Sequence, residues 1–235
     1  MRSRNLKFEA KKCKPLTRFY GFFDGQGVSK YCSPKLLEIT MTSGTFEVGE
    51  TVLASVVPAP SDTTSIPSMS FRVANSNHKY GPYNAPTDLY DQNPYDRNNS
   101  VPGNYSTTST ILNIDTFSLA SEQQPQFAGW ARSGMLLQGQ SSGATATISN
   151  YRLLSDRVGT LIGSYFVPDG NIPGNPTFET GRSIFRLTNS STNDRTGGVV
   201  TTSAEEIFYS QGAVSYTHLR AHETEADLVC RLLLE

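Results

Sequence analysis

Histidines are the residues of this sequence that first suggest chemistry, and the chain holds three of them. His218 and His222 are four residues apart with Glu223 beside them, so a helix would present both imidazoles on one face as metal ligands. His78 is the remaining histidine, and a Ser-His-Asp triad would need it as the base. It lies in residues 75–80, where no nucleophile-elbow pattern surrounds a serine. The sequence therefore contains one metal-like motif and no triad pattern.

The metal-like motif belongs to a C-terminal stretch that resembles a translated sequencing adapter. Residues 214–234, VSYTHLRAHETEADLVCRLLL, fit a single reading frame of a transposase-type adapter, with a short variable index at Glu225 and Ala226. The Ser/Thr/Gly-rich alternation of the preceding sequence stops where the stretch begins. We therefore exclude residues 213–235 from the predictions of fold and function, and we predict no metal site. The adapter also indicates a metagenomic origin, and because the sequence opens directly into a predicted strand, we predict a fragment that is truncated at both ends.

The other candidate residues form no catalytic or metal-binding pattern. Cys13 and Cys32 lack a partner base for nucleophilic catalysis, and two reduced thiols are favoured over a disulfide. Asp88, Asp91 and Asp96 could offer oxygens to calcium, but without the spacing of an EF-hand loop. No two carboxylates stand out as a glycosidase pair. We predict a protein that is not an enzyme, with no catalytic residue and no cofactor.

The composition predicts an all-β, loop-rich protein. The 235 residues include 19 glycines and 13 prolines, only 17% are charged, and 37% are hydrophobic. The net charge is −1 and the Lys and Arg residues are scattered, so no nucleic-acid surface is indicated. No apolar run of about 18 residues occurs, so no membrane insertion is predicted.

Alternating apolar and polar residues predict strands on both sides of a proline-rich connection within residues 161–189. Further strands are predicted at residues 5–10 and 18–23. We predict that residues 1–40 and 156–212 form one β-sandwich. Six side chains should share its core: Phe19, Phe22, Ile162, Phe166, Phe185 and Leu187.

Residues 41–155 are predicted to form an insertion in this sandwich. Residues 46–57 and 135–149 should build a small β-barrel-like unit within it. The alternation at residues 46–52 and at residues 110–117 predicts a strand in each place. No helix is predicted before the adapter.

A long segment of the insertion, residues 75–109, has little periodicity but is rich in tyrosine. Tyrosine provides a large contact area at low entropic cost, so this segment is a candidate surface for binding a glycan or another subunit. Alternatively, the tyrosines attach an extended loop to the sheet beneath it or to a neighbouring subunit. The tyrosines concerned are Tyr80, Tyr83, Tyr90, Tyr95 and Tyr105.

Three groups of motifs, in their order along the chain, resemble large virion structural proteins of contractile-tailed phages, especially those of marine cyanobacteria. The first group is RNLKFE at residues 4–9 with KPLTRFYGFFDG at residues 14–25. The second is FEVGE at residues 46–50 with GQSSGATA at residues 139–146. The third is FETGRSIFRLT at residues 178–188 with AEEIFYSQG at residues 204–212.

The resemblance implies a non-enzymatic particle component of the tail, baseplate or tail-fibre region, built on a β-sandwich. We expect other virion tail proteins as partners, a homotrimer as one oligomeric state, and a place in the virion tail after assembly in the host cytoplasm. One alternative is an adhesin module of a tail fibre that binds a receptor or a host-surface glycan through the tyrosine segment. Another is a polysaccharide-degrading tail enzyme with a close carboxylate pair in a cleft.

Overall fold

The computed structural model describes residues 3–56, 69–197 and 200–210, and the fold of these residues is all-β. They include a 3-10 helix at Ser29–Tyr31 and a five-residue helix, α1, at Thr116–Ala120. Within the same ranges, no helix is long and apolar enough to cross a membrane. The strands are β1 (Arg4–Ala10), β2 (Arg18–Phe23), β3 (Gln26–Gly27), β4 (Cys32–Pro34), β5 (Leu36–Ser43), β6 (Thr51–Ser55), β7 (Met69–Arg72), β8 (His78–Tyr80), β9 (Asp88–Leu89), β10 (Ile111–Asn113), β11 (Leu136–Gly139), β12 (Thr145–Asn150), β13 (Leu153–Leu154), β14 (Leu161–Val167), β15 (Gly181–Thr188) and β16 (Ser203–Ser210).

All named strand pairs are antiparallel, and they form four sheets. One sheet has the order β1-β14-β4, and a second has the order β13-β2-β15-β16 with β3 added beside β2. The largest sheet has the order β10-β5-β12-β11-β6-β7, and β8 pairs with β9. The predicted strands on either side of the proline-rich connection are β14 and β15, and they belong to different sheets. The connection therefore carries the chain from one sheet to the next.

Aromatic side chains fill the space between the first two sheets. Phe8 on β1 lies 5.5 Å from Phe185 on β15, and Tyr165 on β14 lies 5.5 Å from Phe23 on β2, measured between ring centroids. Tyr165 also stacks on Phe185 at 5.4 Å. Rings from both sheets interleave in these contacts, as expected for the core of a β-sandwich.

Four of the six side chains that were predicted to share the sandwich core do lie together. Phe19, Phe185 and Leu187 are buried in one cluster, and Phe166 packs against that cluster. Phe22 and Ile162 are also buried, but outside it. The cluster draws on residues 6–32 and 153–208. The next cluster draws on residues 37–148, so the clusters change between residues 32 and 37 and between residues 148 and 153. The division into a sandwich, residues 1–40 and 156–212, and an insertion, residues 41–155, stays a prediction.

A second core lies against the six-stranded sheet. Its buried side chains come from residues 37–148 and include Leu37, Val52, Phe71, Leu112 and Ile148. Strands β6, β11 and β12 are adjacent in this sheet, so the segments predicted to form the barrel-like unit do pair. Residue 57 of that prediction and the predicted adapter, residues 213–235, lie outside the described residues.

The prediction of a strand over residues 46–52 is wrong for its first part, because the strand begins at Thr51. The backbone turns at Gly49, where φ is +92°, a conformation that suits glycine and not an extended strand. The Glu50 carboxylate accepts a hydrogen bond of 2.7 Å from the Glu47 N–H and holds the turn closed. The alternation of apolar residues did not reveal this local bond.

The predicted strand over residues 110–117 is also shorter than expected, and the prediction of no helix is wrong. Strand β10 ends at Asn113, and α1 begins three residues later. Asp115 is the N-cap, and its carboxylate accepts a hydrogen bond of 3.2 Å from the Phe117 N–H. Aspartate at this position stabilises a helix start, and this local effect outweighs the alternation.

Candidate functional site

Three tyrosine hydroxyl groups of the tyrosine segment, residues 75–109, bond to residues outside the segment. The Tyr95 hydroxyl donates its one proton toward the backbone oxygen of Leu36 at 2.6 Å, and the Arg152 oxygen lies 3.1 Å away on the same side. The Tyr105 hydroxyl donates to the Ala74 oxygen at 2.7 Å, and the Tyr80 hydroxyl bonds to the Glu9 carboxylate. These three hydroxyl groups are therefore engaged within the protein.

The two remaining tyrosines pack against cations. Tyr90 is buried, with the Lys79 ammonium 5.7 Å from its ring centroid. Tyr83 is half-buried, with the Arg72 guanidinium 4.7 Å from its ring centroid. Burial raises the pKa of Tyr90 and of Tyr95 well above the ordinary value. These contacts favour the interpretation that the tyrosines attach the segment to the sheets, and a glycan-binding role for them stays a prediction.

A buried ion pair joins the tyrosine segment to the sandwich. The Lys79 ammonium on β8 lies 2.7 Å from the Asp156 carboxylate, and the two side chains are only 8% and 7% exposed. Asp156 also accepts hydrogen bonds from the backbone N–H groups of Val158 at 3.0 Å and Thr160 at 2.7 Å. Its carboxylate thus has a charge partner and two further donors, which is what a buried charge requires.

Lys35 is a fully buried lysine that lies between the two cores. Its ammonium nitrogen donates to the Ile114 oxygen at 2.9 Å, and its backbone N–H donates to the Ile162 oxygen at 3.0 Å. Burial lowers its pKa from 10.5 to about 7, with the nearby charge of Asp115 acting in the opposite direction and that of Lys7 in the same direction. The amine therefore loses much of its charge near neutral pH.

His78 belongs to the tyrosine segment, is buried, and lies close enough to Lys35 to be affected by its charge. Burial, and next the charge of Lys35, lower the pKa of His78 below its ordinary value, so the imidazole is neutral. Its Nε2 lies 2.9 Å from the Gly81 oxygen, so Nε2 carries the proton and donates it. The buried Nδ1 atom has no hydrogen-bond partner among the described residues. No serine approaches His78 in these bonds, so they do not form a triad.

The other residues singled out in the sequence also have structural surroundings. Cys13 and Cys32 are buried free thiols, and burial raises the pKa of each thiol, so the prediction of two reduced cysteines is confirmed. Asp88 accepts a bond of 2.8 Å from the Leu89 N–H, Asp91 pairs with Arg157, and Asp96 accepts one of 3.1 Å from the Asn98 N–H. Among the residues that the structure describes, no group of three or more such side chains could hold a metal ion.

Two motifs that are 89 residues apart meet at the Glu50 carboxylate. Glu50 ends the FEVGE stretch, and the loop after β11 contains the SSG stretch. The carboxylate accepts bonds from the backbone N–H groups of Ser141 at 3.2 Å and Ser142 at 3.1 Å, and from the Ser142 hydroxyl at 2.9 Å. A Cβ atom added to Gly139 would lie 2.5 Å from the carboxylate, so a larger residue there would displace the hydrogen-bonded Glu50 side chain. The buried carboxylate fastens one turn to the other.

Replacing Glu50 by glutamine should lower the free energy of unfolding by about 2–3 kcal/mol, although the shape is unchanged. Both carboxylate oxygens accept bonds, so the amide NH₂ group must face an N–H or O–H donor in either orientation. Urea unfolding measures the change. The exposed Glu47 is the control, and its replacement by glutamine should change stability by less than about 0.5 kcal/mol. Equal effects of the two substitutions would contradict this role of Glu50.

The sequence reasoning missed the buried charges. Lys35, Lys79 and Asp156 are separated by up to 121 positions, and no local spacing predicts that they are buried. The sequence pointed to Glu50 only indirectly, because this residue ends the FEVGE motif at residues 46–50. The carboxylates considered for calcium, in contrast, are exposed.

Two adjoining cavities of about 300 Å³ each lie between β1 and α1. Both are lined by Arg4, Asn5, Ser121 and Glu122, and the Glu122 carboxylate pairs with Arg4. Glu122 is the one carboxylate in the lining of either cavity, so this cleft does not contain the carboxylate pair that a glycosidase needs.

No protein-family model, no curated protein and no solved structure matches this chain.

Proposed function

We propose that this chain is a non-enzymatic structural component of a phage virion tail, from the baseplate or tail-fibre region. The observation that supports the proposal is that the motifs resembling virion proteins are structural parts of the fold. The first group of motifs forms β1 and β2, and the third forms the β15–β16 hairpin. The second group meets at the Glu50 carboxylate.

The roles of these residues explain why a structural protein would use such motifs. Phe8, Phe23 and Phe185 come from the first and third groups and pack together with Tyr165 in the sandwich core. Residues that build a core and close a turn maintain a scaffold, and a scaffold that presents surfaces to neighbours is what a tail component needs. The partners proposed are other virion tail proteins, and the location is the virion tail.

The glycan-binding alternative has less support from the contacts. A glycan site needs aromatic faces and hydroxyl groups that are free to meet the ligand. The hydroxyl groups of Tyr80, Tyr95 and Tyr105 bond to the protein, and Tyr90 is buried. The enzyme alternative needs a pair of carboxylates, and the cleft beside α1 has only Glu122 in its lining.

Mass spectrometry of purified particles tests the virion role. Particles of a phage whose genome encodes this chain are purified on a density gradient, and tryptic peptides are quantified against those of a known tail protein. We expect the peptides FYGFFDGQGVSK, residues 19–30, and LTNSSTNDR, residues 187–195, to remain with intact tails in a fixed ratio. Their presence in the infected-cell lysate together with their absence from the particles would overturn the proposal.

A further inference from the structure

Strand β16 has one edge without a partner strand among the described residues. It pairs with β15 over its whole length, from Gly181 opposite Ser210 to Thr188 opposite Ser203. It ends the strand order β13-β2-β15-β16, and within residues 3–56, 69–197 and 200–210 no other strand pairs with it. An eight-residue edge of this kind can accept another strand.

The hydrogen bonds of Ile184 on β15 show which backbone groups of β16 face the open edge. Its N–H donates to the Asp24 carboxylate at 2.7 Å, and its oxygen accepts from the Asp24 N–H at 2.9 Å, so both groups point away from β16. Ile184 and its opposite residue, Ile207, are therefore a non-hydrogen-bonded pair. The N–H and C=O groups of Ile207, and by alternation those of Glu205 and Tyr209, point to the open edge.

The edge carries two charges, Glu205 and Glu206, followed by exposed apolar side chains. Ile207 is 38% exposed and Tyr209 is 58% exposed, whereas Phe208 is buried in the sandwich core. Glu205 is held in place by Arg186 at 2.9 Å and by Arg195 at 3.0 Å. The outer face of β16 thus combines an exposed apolar centre with a carboxylate whose position is fixed.

Two other sheet edges, those of β1 and β7, are covered. Strand β1 is flanked by α1 and by Gly129, whose N–H donates to the Asn5 side chain at 3.0 Å. Strand β7 exchanges two backbone hydrogen bonds between Ser70 and Ala128, at 2.9 and 3.1 Å. Such covering is the usual protection of an edge against pairing.

We propose that β16 pairs antiparallel with β16 of a second copy of this chain, with Ile207 on the two-fold axis. The two copies would then share one continuous sheet, joined by about six backbone hydrogen bonds from the edge-facing residues. Ile207 lies opposite Ile207 of the second copy, and Glu205 lies opposite Tyr209. The inference depends on this edge alone and not on the virion role.

Charge disfavours one neighbouring register, and the other pairs fewer residues of β16. With Phe208 on the axis, only residues 206–210 would lie opposite residues of the same strand, whereas residues 204–210 do so with Ile207 on the axis. In the Ile207-centred register, Glu206 lies opposite Phe208 and Glu205 opposite Tyr209, so no two carboxylates are directly opposed. If the axis moved by one residue to Glu206, two Glu206 carboxylates would be directly opposed, which is destabilising. The strand is therefore complementary to itself when Ile207 is at the centre.

Light scattering of the full chain across a range of concentrations tests the dimer. We expect a dimer, and the substitution Ile207→Lys should weaken it by about tenfold or more, because two ammonium groups would meet on the axis. The control is Leu136→Lys, which changes an apolar side chain that is 44% exposed on another sheet and should leave the dimer intact. Circular dichroism checks that both variants fold.

A pair of substitutions at Tyr209 tests the register. Tyr209→Glu should weaken the dimer because it opposes Glu205 of the second copy, whereas Tyr209→Lys should preserve or strengthen it. Equal effects of the two would overturn the register. A monomer, a trimer or a dimer that tolerates Ile207→Lys would overturn the proposal, and none of these outcomes alters the mass-spectrometric test of the virion role.

Discussion

Replacing Asp156 by alanine should lower the free energy of unfolding by about 3–5 kcal/mol, the loss typical of a buried ion pair broken on one side. The substitution leaves the Lys79 ammonium buried without its carboxylate, which is 2.7 Å away in the native protein. It also removes the acceptor for the Val158 and Thr160 N–H groups. Urea unfolding followed by tryptophan fluorescence measures the loss.

The neighbouring residue provides the matched control. Arg157 also forms an ion pair, with Asp91, but both side chains are 61% exposed. Exposed pairs contribute little, so Arg157→Ala should change stability by less than about 1 kcal/mol. A similar loss for the two variants would show that burial is not the cause of the effect.

A double variant distinguishes the cost of leaving the Lys79 ammonium buried and unpaired from the loss of the ion pair itself. Adding Lys79→Met to Asp156→Ala removes the unpaired ammonium, so the double variant should be more stable than Asp156→Ala alone. Limited proteolysis gives an independent measure, because Lys79 lies on the tyrosine segment. We expect cleavage within residues 75–109 to be faster in Asp156→Ala than in Arg157→Ala.

Replacing Lys35 by methionine should stabilise the protein at neutral and acidic pH. Folding buries the amine and lowers its pKa from 10.5 to about 7. The shift corresponds to a penalty of roughly 5 kcal/mol below pH 7, and the lost hydrogen bond to Ile114 offsets about 1 kcal/mol of the gain. We therefore expect the variant to gain about 4 kcal/mol at pH 6.

The sign of the pH dependence follows from the two pKa values. Between pH 7 and pH 10.5 the unfolded chain holds a proton on Lys35 that the folded chain has lost, so this group makes the native protein more stable as pH rises. Below pH 7 both states hold the proton and the penalty is constant. The advantage of Lys35→Met should therefore be greatest at pH 6 and disappear near pH 10.

Thermal unfolding at several pH values measures this difference between the variant and the native chain. The groups that act on Lys35 are Asp115, Lys7 and His78, and all are unchanged in the variant. The exposed Lys14 is the control, and Lys14→Met should show no comparable gain or pH dependence. If Lys35→Met is less stable than the native chain at pH 6, the charged amine stabilises the native protein, and the prediction is wrong.

Local patterns in the sequence were enough to predict the class of the fold and several of its strands. Alternation located β14 and β15, and the run of apolar residues at 18–23 located β2. Alternation was less informative where a side chain bonds to its own backbone neighbourhood. At Glu50 and Asp115 such bonds produce a turn and a helix start.

The sequence by itself determined that the chain folds mainly as strands and that aromatic residues from its two ends supply a core. The tertiary structure alone decided which polar residues are buried and what they contact. Lys79 and Asp156 are 77 positions apart, and Glu50 and Ser142 are 92 apart. The environment of a charge depends on the residues that surround it after folding, whereas alternation reports only on neighbours along the chain. The self-complementary edge of β16 has the same origin, since the sheet order determines which strand lies at the edge.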